Sequence, residues 1–141
     1  MNFKTPISTT REQSERLLAL GVNSETADMY IDKHGLPCCL PYSRMDGHKE
    51  QTELCPAWSL GRLIDMLPTF LPQVTGNDLF LCLMPRRDRF FVDYINDSYP
   101  FGTDEASSEN KNPYDAIIDM IECIIEKGYL MNDIYMEGGE L

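Results

Sequence analysis

Positive charge is what this chain has least of. Twelve lysines and arginines stand against 23 aspartates and glutamates in 141 residues, giving a formal net charge of -11. A surface of that sign repels phosphate backbones and anionic lipid, so direct nucleic-acid binding and membrane association are not expected. The one arginine cluster, Arg86, Arg87 and Arg89, is interrupted by Asp88 and reads as a solvated hairpin tip. Glycine-rich phosphate loops are missing too: no Gly-x-x-x-x-Gly-Lys or Gly-x-Gly-x-x-Gly string occurs, which removes nucleotide binding by those routes. No apolar stretch reaches the length of a bilayer span, and Met1-Asn2-Phe3-Lys4-Thr5-Pro6 lacks the apolar run of a signal peptide. The five cysteines are an odd number and include the neighbours Cys38 and Cys39, a poor unit for a disulfide framework. Reduced thiols in a cytoplasmic protein are the expectation.

What is present suffices for one globular domain. A chain of this length buries roughly 70% of its unfolded surface without staples, and its hydrophobic share of 43% argues against global disorder. Thr10 and Gln13 have capping-box spacing, so a first helix should start there and stop at Gly21. Ser24 would cap a second helix running through Ile31, closed by Gly35 and Pro37. Leu36 to Tyr42 contains Pro37 and Pro41 and suits an edge strand. Ser59 would cap a helix carrying Leu60, Leu63, Ile64 and Leu67, with Pro68 beyond it.

Leu79 to Met84 and Phe90 to Ile95 form the clearest hairpin, turning at Pro85 to Asp88. Asn112 and Pro113 open a final helix over 113–127, whose stripe of Tyr114, Ile117, Ile118, Ile121, Ile124 and Ile125 faces away from Asp115, Asp119, Glu122 and Glu126. The fold class is therefore α+β. A small antiparallel sheet, the hairpin at about 79–95 with a candidate third strand at about 38–43, would pack with three to four helices. Residues 103–112 read as a flexible loop and 131–141 as a weakly ordered tail. The almost wholly apolar run from Leu79 suggests a sheet covered on both sides, by helices or by a second subunit in a homodimer.

Chemistry is harder to find. His34, Cys38, Cys39, His48 and Cys55 have the ligand types zinc favours, but no Cys-x-x-Cys knuckle joins them, and the thiols also fit as small packed side chains. A thiol activated by His34 or His48 would need the two to meet in space, which spacing does not show. The final helix has no Glu-x-x-His element, so its carboxylates read as a solvated face rather than a di-metal site. No catalytic residue or cofactor is assigned. The candidate interaction residues are the sole tryptophan, Trp58, whose alternative is core packing, and the carboxylates Asp115, Asp119, Glu122 and Glu126.

Trp58 precedes the Ser59 cap and would staple onto Leu63. Gly61 in the first turn costs up to about 1 kcal/mol relative to alanine, which suggests that a neighbour approaches closely there and that a bulky replacement would destabilise the fold. At Pro56-Ala57-Trp58-Ser59-Leu60-Gly61-Arg62-Leu63, with Glu25-Thr26-Ala27-Asp28-Met29-Tyr30 and Tyr114-Asp115-Ala116, the chain resembles small uncharacterised bacterial proteins of prophages and other mobile elements. The resemblance brings no activity or catalytic residue with it and implies an accessory interaction protein. The expected function is thus a non-enzymatic interaction or regulatory protein that meets a basic protein partner. A small cysteine-dependent enzyme and a zinc-stabilised domain are the alternatives.

Overall fold

Thr10 starts the first helix as its spacing predicts. Its hydroxyl accepts from the Gln13 backbone N–H at 3.2 Å, and the Gln13 side-chain oxygen accepts from the Thr10 N–H at 2.9 Å. In this computed structural model, which describes residues 6–39, 54–73, 78–96, 106–129 and 131–137, that helix is α1, Arg11–Ala19. Gly21 follows with φ +96°, a conformation only glycine adopts without strain.

The expected second helix does not form. Asn23, not Ser24, caps a single 3-10 turn over Ser24–Thr26, and the chain then extends into strand β1, Met29–Ile31. Met29 and Ile31 are buried and Tyr30 between them is not, a period of two that suits a strand with a partner on each side. Those partners are β2, Pro37–Cys39, and β3, Cys55–Ala57, both antiparallel, in the order β2-β1-β3. The segment near 38–43 is therefore an edge strand over residues 37–39, but of this sheet and not of the hairpin's; residues 40–43 lie outside the described residues.

Ser59 caps α2, Leu60–Met66, accepting from the Arg62 N–H at 3.3 Å while its own N–H donates to Asp28 at 2.8 Å. The second sheet has the order β4-β5-β6-β7, all antiparallel, from Phe70–Leu71, Leu79–Pro85, Phe90–Ile95 and Ser107–Asn110. The β5–β6 hairpin closes at Arg86, whose N–H donates to the Arg89 carbonyl at 2.8 Å. Strand β7 falls within the stretch expected to be a loop. Its polar residues suit an edge position: Ser107 and Glu109 are exposed, and Ser108 donates to the Ala116 carbonyl at 2.7 Å. Residues 103–105 are outside the described set.

Helix α3, Pro113–Glu126, starts at the Asn112 cap with Pro113 in its first turn. Ile117, Ile118, Ile121 and Ile124 are fully buried, in one core with Leu17, Trp58, Leu63, Val92 and Tyr94. Cross-strand pairing puts Leu71, Leu79, Leu81, Leu83, Val92 and Tyr94 on the face that joins this core. The other face holds Phe70, Phe80, Cys82, Met84, Phe91, Asp93 and Ile95, of which Phe70 and Phe80 are exposed large apolar side chains. The class is α+β, with two small antiparallel sheets and three α-helices among the described residues.

The segment 131–137 is docked rather than trailing. Met131 and Tyr135 are buried, and a 3-10 turn spans Asp133–Tyr135. Met136 bridges to Val22, and the Glu137 N–H donates to the Gly21 carbonyl at 2.8 Å. Two apolar anchors outweigh the polar character that made the stretch look weakly ordered. Residues 138–141 are not described.

Candidate functional site

The Cys and His candidates among the described residues do not converge. His34 is exposed on the turn between β1 and β2, where its backbone N–H donates to Asp32 at 2.8 Å. That bond and a second from the Leu36 N–H, the larger influence, hold the Asp32 carboxyl below its ordinary range. Cys38 and Cys39 are consecutive strand residues and point to opposite faces of β2. Cys55 is buried in β3, on the far side of β1, and burial pushes its thiol pKa up, the wrong direction for a thiolate nucleophile or ligand. His48 lies outside the described residues. Among the described residues no group of three His, Cys, Asp or Glu side chains is placed to hold a metal ion.

The interaction candidates are also redistributed. Trp58, a candidate anchor whose other reading was core packing, has no exposed surface; its indole N–H donates to the Thr26 hydroxyl at 3.1 Å, so its place is in the core. The acidic side of α3 is only partly open, because α1 lies alongside it. Asp115 accepts from the Gln13 side-chain amide at 2.8 Å, and Arg16 pairs with Asp119 at 2.9 Å and with Glu122. Gln13 thus caps its own helix with one end of its amide and ties α1 to α3 with the other. Glu126, one turn further on, is exposed.

A concave site among the described residues lies elsewhere, between α2, β4 and the docked segment 131–137. It is a cleft of about 720 Å³, within the size range of ligand-binding pockets. Ile64, Leu67, Leu71, Leu81 and Met131 supply its apolar lining, and Asp65, Thr69 and Asn132 its polar groups. Among the described residues no lysine, arginine or histidine lines it. Local folding explains the opening. Pro68 follows the end of α2, Gly128 turns the chain with φ +78° just after α3, and Gly61 leaves its side empty, since a Cβ there would meet nothing within 4 Å.

Hydrogen bonds fix the wall made by 131–137. The Asn132 backbone N–H donates to the Met66 carbonyl at 3.2 Å and its side-chain amide to the Asp65 carbonyl at 3.3 Å. The Tyr135 hydroxyl donates to the Asp65 carboxylate at 2.5 Å and accepts from Arg62 at 3.1 Å. That bond to Tyr135 is the main influence raising the Arg62 pKa, and burial raises that of Tyr135. On the other side, the Tyr129 hydroxyl accepts from the Gln73 side-chain amide at 3.0 Å.

Sequence reasoning missed this cleft, because its lining is drawn from separate parts of the chain: Gly61 and Ile64 on α2, the stretch from Leu67 to Pro72, Leu81 on β5, and Gly128 with Met131 and Asn132. Gly61 was the available signal, but a glycine in a first turn suggests the close approach of a neighbour as readily as open space. Compared with family models, with curated proteins and with solved structures, the chain matches none of them, so the functional reading rests on this geometry.

Proposed function

We propose that the chain is a non-enzymatic interaction or regulatory protein of the cytoplasm that engages a basic protein partner through its acidic surface. The observation that carries this reading is how little of the acidic charge is neutralised internally. Three ion pairs occur among the described residues, and two of them share Arg16. Exposed carboxylates such as Glu12, Glu15, Glu25, Asp65 and Asp133 therefore contribute to a field of one sign. Such a field speeds encounter with a cationic partner and disfavours nucleic acid. The likeness of Pro56 to Leu63 to proteins of mobile elements favours an accessory role there. The tilted Phe70–Phe80 pair, with ring centroids 6.4 Å apart on the exposed sheet face, is where a second subunit would sit in a homodimer.

No helix among the described residues is long and apolar enough to cross a membrane. Native mass spectrometry of protein isolated gently from its own host tests the proposal. A co-purifying basic protein whose occupancy falls as ionic strength rises supports it. A stoichiometric small molecule or metal with no protein partner sinks it.

A further inference from the structure

We infer that the chain pairs with a second copy of itself through the outer face of its four-stranded sheet, with β5 antiparallel over the partner's β5 and the two-fold axis passing between the sheets at Cys82. This rests on the placement of a second subunit given above and adds its register and its charge contacts. Side chains of one face recur every two residues along a strand, and the outer row of β5 with its two flanking residues reads Asp78, Phe80, Cys82, Met84, Arg86. Phe80 is 57% exposed, Arg86 is exposed, and Asp78, Cys82 and Met84 are half-buried. Turned about its middle residue, the row meets its own complement. Asp78 falls toward the partner's Arg86, Phe80 toward the partner's Met84, and Cys82 on its own counterpart.

Both ends of the row belong to this face. The Arg86 N–H donates to the Arg89 carbonyl at 2.8 Å, so the alternation runs on past β5 and sets Arg86 beside Arg89. Arg89 pairs at 3.3 Å with Glu109, which stands across from Phe91 on the outer face. Asp78 leads into β5, and its carboxylate accepts from the Gln73 backbone N–H at 3.3 Å. Among the described residues neither Asp78 nor Arg86 has an ion-pair partner. The other charges nearby are answered within the chain: Arg89 by Glu109, Arg87 by its neighbour Asp88 in the turn, and Asp93, in line with the axis, by the Ser107 hydroxyl at 2.5 Å with only 5% of its surface exposed.

Charge selects the second copy and its direction. Two chains of net charge -11 repel, so they can meet only through a face whose charges balance, and this apolar face with one acidic and one basic end is of that kind. A parallel arrangement would set Asp78 on Asp78 and Arg86 on Arg86; the antiparallel one sets opposite charges together at both ends. Packed sheets cross at about 30°, which offsets the row ends by roughly 7 Å, within reach of the long arginine side chain.

Sedimentation equilibrium of the full chain tests this, with circular dichroism to show that each variant is folded. The wild type should sediment as a dimer. Phe80→Lys, at an exposed position, should leave a folded monomer. Asp78→Arg and Arg86→Asp should each weaken the dimer by about tenfold or more, since the symmetry turns two attractive contacts repulsive at once. Asp78→Arg also makes the chain less acidic, so a bulk-charge effect would strengthen association where the paired row predicts a loss. Mixing Asp78→Arg with Arg86→Asp should restore dimers, because each chain then meets the opposite charge at both ends.

A wild-type chain that is monomeric at every attainable concentration would overturn the inference. A dimer that survives Phe80→Lys would overturn the choice of face. A dimer lost in Phe80→Lys but unchanged by the two charge variants, or not restored on mixing them, would overturn the antiparallel register. None of these outcomes touches the acidic-surface reading, which the co-purifying basic protein decides.

Discussion

The Tyr135 hydroxyl donates to Asp65 at 2.5 Å, joining groups 70 residues apart in the chain. This contact ties the segment 131–137 to α2 and so holds one wall of the cleft. Tyr135→Phe removes two hydrogen bonds, the one donated to Asp65 and the one accepted from Arg62, whose partners can turn to water, and should cost about 1–2 kcal/mol in urea denaturation. Deleting residues 131–141 also exposes what Met131 and Tyr135 cover and should cost about 3 kcal/mol or more. An unchanged urea midpoint after the deletion would show that the segment is not part of the folded unit.

Gly61→Ala is expected to stabilise. The position is inside α2, its φ is not in the left-handed region, and the space around it is open. Alanine there should raise stability by up to about 1 kcal/mol through helix propensity. A lowered thermal midpoint would mean that something packs against Gly61 after all. The sign is opposite to the sequence expectation, which took a glycine in a first turn as a sign of close approach when it marks open space.

Buried phenols set the alkaline limit. Tyr94 donates to the Pro68 carbonyl at 2.7 Å, and its burial pushes its ionisation far above the usual tyrosine range. The neutral phenol is the folded form. Its contribution is therefore intact below about pH 10, and is lost above that as the unfolded chain ionises first. Stability should fall by about 1.4 kcal/mol per pH unit for this one group above that point. Denaturation midpoints between neutral and strongly alkaline pH should show the decline, and Tyr94→Phe should flatten it. An equal slope in the variant would assign the decline to other groups.

Arg16 is expected to matter more for its sign than for its bonds. Its pairs with Asp119 and Glu122 are more than a third exposed, so Arg16→Met should cost less than about 1 kcal/mol. Arg16→Glu would place a third carboxylate beside those two and should cost more, with most of the difference removed by molar salt. A loss in Arg16→Glu that salt does not reduce would point to packing of the arginine stem instead.

Local signals were legible wherever a few neighbouring residues decide the outcome. The Thr10–Gln13 box, the Ser59 cap, the Asn112–Pro113 start and the hairpin at 79–95 are all of that kind. Failures came where a distant partner decides. Met29–Ile31 is extended because β2 and β3 flank it, and Ser107–Asn110 because β6 offers an edge. The α3 carboxylates looked solvated because nothing near them in sequence reveals that Gln13 and Arg16 come alongside. The cleft shares this difficulty, since no one of its segments is concave alone.

The docking of 131–137 also sets an order in time. Residues leave the ribosome from the N-terminus, so α2 and β4 are exposed to the cell before Met131 and Asn132 exist. Until those residues arrive, the apolar groove beside Ile64 and Leu71 lacks a wall, and Asp65 lacks the tyrosine that fixes its carboxylate. A nascent chain that has not yet released Met131 to Tyr135 therefore has no finished cleft.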